Sequence, residues 1–465
     1  MRKIYLITVL LVVFTCSQAL FGQAKYVFFF IGDGMGVNQV NITEVYLSAL
    51  KGERGSASLQ MTQFPSASLV TTFSYNNDVT DSAASGTALA TGKKTNNGYI
   101  GVDPDNQPIE TIAEKAKKAG KKVGIASTVP INHATPASFY GHQKDRGMYY
   151  ELSQDLIKSN FDFFAGGSFY NRDVLYDKSK APDIYPQIEK AGYTIFHGYD
   201  EFKAGASKAG KIILLQKDWE NANELPSAID RKANDLTLKQ ITEAAIEALM
   251  KDNKKGFFVM LEGGKIDWAG HGNDVATVIQ EVIDMDEAIK VAFEFYKKHP
   301  NETLIIISAD HDTGGITAGR GSLNIKCLQY QKQSQDELTK LINELVKSKS
   351  GKPSWEDVKG LLTESMGFWR DVPINWENEK ILRDTYEATI AKNRDAKDEN
   401  LYSQNSQLAA KAKQILNDIA RVGWATTSHS AGYVPVFAIG AGANLFTQKI
   451  DNTEIPKRIA QAAKY

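Results

Sequence analysis

Short apolar runs that end in polar or glycine-rich loops recur along this chain, and they constrain its fold more than any other feature. Each run has the length of a buried strand. The stretches between them, such as residues 110–119 and 275–296, have helical periodicity. This alternation predicts an α/β fold with three layers, in which a large and mostly parallel central sheet lies between helices. The predicted strands cover residues 25–31, 122–127, 256–261, 304–308 and 434–439.

Polar side chains stand directly at the ends of three of these runs. Asp33 follows the first run, Glu262 follows the third, and Asp310 and His311 follow the fourth. Because the carboxyl ends of parallel strands meet at one edge of a sheet, we expect these side chains to lie in one crevice.

Residues 326–421 differ in composition from the rest of the chain. They are rich in Lys, Glu, Gln and Asn, with helical periodicity that is interrupted at residues 351–353 and 371–373. We interpret this region as a helical insertion in a single domain of residues 25–465. We expect its charge-rich helical faces to be solvated, as such faces usually are.

The first 24 residues have the pattern of a secretory signal peptide. Arg2 and Lys3 precede an apolar run over residues 4–14, which is too short to span a bilayer comfortably. We expect cleavage after Ala24, with Ala19 the less favoured site, and therefore a periplasmic or secreted protein. An uncleaved membrane anchor is the alternative.

The chain has two cysteines, Cys16 and Cys327. Cys16 matches a lipoprotein processing site poorly, so lipidation is not favoured. If Cys16 leaves with the signal peptide, no intramolecular disulfide can form. Packing and bound metal would then have to stabilise the exported protein.

The charge balance speaks against a nucleic-acid or membrane-surface partner. The 54 basic and 55 acidic residues leave a formal net charge of -1. Proteins that bind polyanions or anionic lipids carry a basic surface instead.

Carboxylates and imidazoles that could bind a metal occur together in three places. Asp267 and His271 are four residues apart and would face one side of a helical turn, Asp310 and His311 are adjacent, and His429 precedes the last apolar run. Zinc accepts such mixed oxygen and nitrogen ligands. One such pair alone is more often a surface pair, because zinc needs four ligands and a pair supplies two. The recurrence of carboxylates and imidazoles at strand ends favours a metal site.

A serine opens a run of small residues at positions 79–88. Asp81 and Ser82 precede a segment rich in Ala and Gly, which predicts a helix whose amino end an anion can approach closely. The alternative is that Asp81 or Ser82 only caps this helix.

Together these segments resemble the alkaline phosphatase family. Five motifs appear in the order seen in that family, and the resemblance covers nearly all of the chain after residue 24 except residues 326–421. The motifs are residues 31–36, 80–87, 133–137, 262–267 and 309–311.

The resemblance implies an enzyme that hydrolyses a broad range of small phosphate monoesters through a phosphoserine on Ser82. It also implies three cofactors, two Zn²⁺ and one Mg²⁺, and the oxygen-only third site suits a hard cation. The implied ligands are Asp267, His271 and His429 for one zinc, Asp33, Asp310 and His311 for the other, and Asp33, Thr135 and Glu262 for magnesium. Arg146 would bind the phosphate, and Asp81 would orient Arg146.

The sequence departs from the best-known enterobacterial pattern at two positions near these motifs. It has His133 where that pattern has Asp and Trp268 where it has Lys, and it has no cysteine pairs. The combination is similar to that of other bacterial members. We expect both side chains to lie beside the metal ligands, with simple packing as the alternative for Trp268.

Two other functions remain open at this stage. One is a phosphodiesterase of the same superfamily, and the other is a non-catalytic periplasmic protein that binds phosphate or metal. The residues around Ser82 together with Arg146 favour monoesters, and an intact Ser82 disfavours a binding protein, which needs no nucleophile. The sequence also leaves open whether the protein is a homodimer.

Overall fold

The computed structural model describes residues 23–220, 222–319, 321–391 and 399–465. The predicted signal peptide lies outside these residues, except for its last two positions. In chain order the strands are β1 Tyr26–Gly32, β2 Ser66–Thr71, β3 Lys122–Ser127, β4 Phe163–Gly166, β5 Tyr193–His197, β6 Lys211–Leu215, β7 Phe257–Gly263, β8 Thr303–Ala309, β9 Asp312–Thr313, β10 Thr317–Ala318, β11 Val422–Gly423, β12 His429–Ser430, β13 Val434–Gly440 and β14 Ile450–Asp451.

Helices occupy most of the segments between the strands. They are α1 Val37–Leu50, α2 Ser82–Thr91, α3 Ile112–Lys118, α4 Ala134–Ala137, α5 Tyr149–Ser159, α6 Ile184–Lys190, α7 Tyr199–Gly205, α8 Leu238–Met250, α9 Lys265–His271, α10 Val275–Lys298, α11 Gln335–Ser348, α12 Trp355–Met366, α13 Trp376–Tyr386, α14 Glu399–Ala420 and α15 Glu454–Ala463. Short 3₁₀ segments cover Met61–Gln63, Ala206–Lys208, Ile325–Tyr330 and Ala443–Phe446, and a π segment covers Glu387–Ala391.

In the described part of the chain, ten strands form one sheet in the order β14-β2-β13-β8-β1-β7-β3-β4-β6-β5. β13 runs antiparallel to both of its neighbours, and the other pairings within this sheet are parallel. Two small ribbons pair β9 with β12 and β10 with β11. The predicted mostly parallel sheet is confirmed.

Strand β1 lies in the middle of this sheet, and all of its residues are buried. Successive side chains of a strand point to opposite faces. Phe28 packs against Phe295 of α10, with ring centroids 5.4 Å apart, whereas Phe29 packs against Phe139 just after α4, at 6.1 Å. Helices therefore cover both faces of the sheet, which confirms the three-layer α/β/α architecture.

The helices within residues 326–421 share a second apolar cluster with the main body. Ile342 of α11, Leu362 of α12 and Leu416 of α14 pack together with Tyr46 of α1 and Ile279 of α10. This packing places the helical region against α1 and α10. Its assignment as an insertion in one domain stays a prediction.

None of the helices in the described residues is long and apolar enough to cross a membrane.

Candidate active site

The strand ends bring four of the predicted site residues to one edge of the sheet. In the register of the sheet, Ile31 of β1 is opposite Glu262 of β7, and Gly32 of β1 is opposite Ala309 of β8. Asp33, Glu262, Asp310 and His311 consequently lie side by side and are completely buried.

Gly34 allows the loop after β1 to approach α9. Its φ angle is +70°, and a Cβ at this position would lie 2.9 Å from the Asp267 Cα and 2.7 Å from the Thr313 Oγ1. Only glycine combines this conformation with this approach. The loop therefore holds Asp33 against the element that carries Asp267.

The first group of donors surrounds the Nε2 atom of His311. This atom lies 3.3 Å from Asp33 Oδ1, 3.4 Å from Asp310 Oδ2 and 3.2 Å from Ser82 Oγ. Both carboxylate oxygens of Asp33 are buried without a hydrogen-bond partner. Such orphaned oxygens are costly unless a cation or a proton satisfies them.

Thr313 sets the tautomer of His311. The Thr313 hydroxyl donates to Asp267 Oδ1 at 2.5 Å, so it accepts from His311 Nδ1 at 3.2 Å. The proton is thereby assigned to Nδ1, and the lone pair of Nε2 points at the first group. Burial, followed by the neighbouring His429, holds the pKa of His311 well below its usual range, which keeps the imidazole neutral.

The second group consists of Asp267, His271 and His429. The His271 Nε2 atom lies 3.4 Å from Asp267 Oδ2, the His429 Nε2 atom lies 3.6 Å from Asp267 Oδ1, and the two Nε2 atoms are 3.1 Å apart. Each Nδ1 contacts a main-chain carbonyl, Thr427 O at 2.6 Å for His271 and Thr80 O at 2.9 Å for His429. A carbonyl can only accept, so each Nδ1 carries the proton and each Nε2 has a free lone pair. The two Nε2 lone pairs face one another, an arrangement that suits a cation between them.

The third group lies behind the first and shares Asp33 with it. Glu262 Oε1 is buried without a partner, while Thr135 Oγ1 lies 3.4 Å from Asp310 Oδ2. Burial, followed by the charges of Asp310 and Asp267, raises the pKa of Asp33 well above its ordinary value, and burial also raises the pKa of Glu262. Buried carboxyl groups with raised pKa values stay ionised only if a nearby positive charge compensates them.

His133 lies at the edge of this third group, with a ring nitrogen within 4.8 Å of carboxylate oxygens of Asp33 and Glu262. Its Nε2 atom lies 3.3 Å from Arg146 Nη2 and accepts from it, so Nδ1 carries the proton and is a donor. Burial and then the Arg146 charge lower the pKa of His133 to about 3. The imidazole is therefore neutral, and its Nδ1 is buried without a hydrogen-bond partner.

Trp268 stands next to this histidine. Its ring meets the His133 ring edge-on, with centroids 6.0 Å apart, and the Lys265 ammonium lies 4.7 Å from the Trp268 ring centroid. These contacts are compatible both with a position beside the metal ligands and with simple packing, since a side chain next to the ligands can also pack over them.

Ser82 is the first residue of α2, and Asp81 is its cap. Asp81 Oδ1 accepts from Ala84 N at 2.9 Å, and Asp81 Oδ2 lies 3.1 Å from Arg146 Nη1. The capping role that we considered for Asp81 is present, and the same carboxylate also orients Arg146. The Ser82 hydroxyl is left free to donate to the His311 Nε2 lone pair.

Gly86 lets α2 pack closely on α4, and this contact gives a stability prediction. A Cβ at Gly86 would lie 2.8 Å from Ser138 Oγ and 3.3 Å from the Thr135 Cα. We expect Gly86→Ala to lower the free energy of unfolding by about 1–3 kcal/mol, measured as a shift of the urea midpoint.

Gly360 of α12 is the matched control for this substitution. A Cβ there would meet no atom within 4 Å. Gly360→Ala should keep or raise stability by about 0.5–1 kcal/mol through helix propensity. Equal stability of the two variants would show that α2 and α4 are not in tight contact.

Sequence reasoning missed the groups that orient the imidazoles. Thr313 follows Asp310 and His311 in the same loop, so its position next to two candidate ligands was a usable signal. The carbonyls of Thr427 and Thr80 gave no signal, because every residue has a carbonyl and only the fold selects which ones face a histidine.

An anionic group suits this site, because the amino end of α2 and Arg146 attract negative charge near the Ser82 hydroxyl. The molecule is by class a phosphoric monoester hydrolase. More particularly, the chain belongs to the alkaline phosphatase family, whose sequence model, described as "Alkaline phosphatase", matches residues 24–162 and 218–465. The match includes residues 326–421, which we expected to fall outside the resemblance, and leaves out residues 163–217.

Individual relatives agree with this membership. "Alkaline phosphatase 3" of Bacillus subtilis is 32% identical over 95% of this chain and 90% of its own length. The crystal structure of a cold-active alkaline phosphatase from Shewanella sp. is 28% identical, with a TM-score of 0.78 over 94% of this chain and 99% of that chain. A mutant of TAB5 alkaline phosphatase is 28% identical, with a TM-score of 0.66 over 96% of this chain and 99% of that chain.

Proposed function

We propose that this alkaline phosphatase hydrolyses a broad range of phosphate monoesters through a phosphoserine formed on Ser82. The observation that carries the proposal is the position of the Ser82 hydroxyl. It lies at the start of α2 and beside the first group of candidate metal ligands, 3.2 Å from a His311 nitrogen whose lone pair Thr313 orients.

The donor groups support two zinc ions and one magnesium ion. The nitrogen-containing first and second groups suit zinc, and the oxygens of Asp33, Thr135 and Glu262 suit magnesium. The TAB5 alkaline phosphatase structure that has Mg bound in the site called M3 is a mutant in which Asp replaces a histidine. Asp33, Asp310 and His311 would hold one zinc ion and Asp267, His271 and His429 the other, and the bound ions would supply Lewis acidity and positive charge for phosphoryl transfer.

Ser82 provides the covalent chemistry. Its Oγ attacks phosphorus in line with the leaving oxygen, the Oγ–P bond forms as the bond from phosphorus to the alcohol oxygen breaks, and the alcohol departs with a proton. Water then hydrolyses the phosphoserine, which restores Ser82 and releases inorganic phosphate.

Arg146 holds the phosphoryl group during both steps. Asp81 engages one arm of the guanidinium at 3.1 Å, and the side chain is 30% exposed. His133 Nε2 accepts from Nη2 at 3.3 Å, and the N–H groups that neither partner uses would bind two non-bridging oxygens.

The exposure of His271 supports broad specificity for the alcohol. This side chain is 42% exposed, whereas the first group is fully buried. An alcohol that leaves toward His271 therefore emerges into solvent and meets few side chains that could select it.

We also propose export to the periplasm or the medium, with residues 1–24 as the signal peptide. The support is the basic start, the short apolar run and the small residues before position 25.

Arg146 distinguishes the monoesterase from the phosphodiesterase alternative. A monoester dianion offers two free oxygens to the guanidinium, whereas in a diester a second substituent occupies one of them. Arg146→Ala should lower kcat/KM for an aryl phosphate by about 1.5–3 kcal/mol and lower it less for a matched aryl diester.

The measurement is the ratio of the two kcat/KM values at one pH with saturating metal. Arg370→Ala, which removes an exposed arginine paired with Glu364 and Asp371, is the control and should leave the ratio unchanged. An unchanged ratio in Arg146→Ala would favour the diesterase.

A further inference from the structure

The loop directly after His271 is held by a helix of the 326–421 region. Lys413 of α14 donates from Nζ to the carbonyl of Gly272, and Asn417 donates from Nδ2 to the carbonyl of Asn273 at 2.7 Å. Because α9 ends at His271, these two carbonyls belong to the turn that closes the helix.

Both side chains are buried, which is unusual for a helix of this composition. Lys413 is 6% exposed and Asn417 is 4% exposed. The other partner of the Lys413 ammonium is Gln335 Oε1 of α11, at 2.7 Å. Burying an ammonium whose hydrogen bonds go to neutral oxygens is costly, and burial lowers the pKa of Lys413, an effect that the nearby charges of Asp274 and Asp336 only partly offset. Lys413 is thus an exception to the solvated faces that we expected in this region.

The turn formed by Gly272 and Asn273 affects the position of His271 through the end of α9. Asn273 has a φ of +51°, and the Gly272 and Asn273 amides donate back to the carbonyls of Trp268 and Gly270 at 3.0 and 2.8 Å. His271 itself is the most exposed member of the second group and has only the Thr427 carbonyl on its Nδ1. The position of its Nε2 therefore depends on how firmly the end of α9 is fixed.

The same helix also fixes the opposite side of the second group. α14 ends at Ala420, and the chain continues through β11 and the loop that carries Thr427 to His429, the first residue of β12. One helix is thus attached to the main chain beside His271 and is continuous with the segment that supplies His429.

We propose that α14 is a clamp that sets the metal affinity of the second group, with Lys413 and Asn417 as its positioning residues. The helical region at residues 326–421 would then hold the ligands of the second group in position. This inference rests on the proposed function, which assigns a zinc ion to Asp267, His271 and His429. Removing a group that hydrogen-bonds directly to a metal ligand typically weakens metal binding by about 10- to 100-fold. Lys413 and Asn417 act through the main chain next to His271, so we expect an effect in the same direction at the lower end of that range.

The test is the release of zinc from the zinc-loaded full-length enzyme into excess chromophoric chelator. His271→Ala identifies the kinetic phase that belongs to the second group, because that phase should disappear. Lys413→Met keeps the aliphatic stem and removes the donor. It should accelerate that same phase by about tenfold or more and leave the other phase unchanged.

Lys411→Met is the matched control, since Lys411 is an exposed lysine one half-turn away on α14. It should release zinc like the parent. Asn417→Ala provides a second, smaller truncation, which should accelerate the same phase if Lys413→Met fails to fold.

The outcomes distinguish a failure of the proposed clamp from a failure of the zinc assignment. Parent-like release in Lys413→Met and Asn417→Ala overturns the clamp and leaves the zinc site intact. Equal acceleration of both phases also overturns it, because the effect is then general loosening. If His271→Ala releases the same zinc at the same rates as the parent, the zinc assignment in the proposed function fails instead.

Discussion

Ser82→Ala should lower kcat for an aryl phosphate by about a thousandfold or more and change the affinity for inorganic phosphate little. The substitution removes the atom that forms the covalent bond to phosphorus. Arg146 and the donors around His311 stay in place, because the Ser82 side chain does not cap α2 and contributes no packing that Ala cannot replace. Turnover should fall while phosphate still protects the protein against thermal unfolding.

Ser85→Ala is the matched control in the same helix. The Ser85 hydroxyl donates to the Asp310 main-chain carbonyl at 2.5 Å and accepts from Asn452, so it is committed to structure. Its loss should lower activity far less than the loss of Ser82. In the parent enzyme, mass spectrometry after acid quench should find phosphate on the peptide that contains Ser82. Phosphate on another residue would contradict the assignment.

Removal of bound metal should lower activity by about a hundredfold or more, and zinc together with magnesium should restore it. Three of the buried carboxyl groups lack the charge partner that they need, as the orphaned oxygens of Asp33 and Glu262 and the raised pKa of Asp310 show. Zinc alone should restore part of the activity, since it fills the nitrogen-containing groups. Full activity in a preparation shown to be metal-free would contradict the proposed function.

The same carboxyl groups predict how pH affects the metal-free protein. Burial raises the pKa values of Asp33, Glu262 and Asp310 above those of the unfolded chain. In the metal-free form the stability that these three groups contribute should therefore be fully present below the ordinary carboxyl pKa and be lost as pH rises through the raised values. Metal competes with these protons, so the difference in Tm between the metal-loaded and metal-free forms should widen with rising pH.

Local pattern was sufficient for several long or strongly apolar elements of the core. The run at residues 122–127 coincides with β3, and the helical pattern at residues 275–296 coincides with α10 to within two residues. These segments are long or strongly apolar, so their periodicity outweighs other signals. Strands β4, β5 and β6 were not predicted individually, because each has only four or five residues and too few alternations to recognise.

The sequence by itself determined the class of fold and most of the chemistry, because both depend on residue type and on short spacings. Asp33 follows a strand, Asp267 and His271 share a helical turn, and Ser82 begins a helix; each is a property of a few neighbouring residues. The antiparallel direction of β13 and the meeting of His271 with His429, 158 positions away, were decided by the tertiary structure alone. The tertiary structure also decided the role of Lys413. The composition of its region predicts a solvated lysine, but its side chain is buried and donates to the Gly272 carbonyl. Such contacts join residues that are distant in sequence, and their free energy arises only when the order of the strands has brought the two surfaces together.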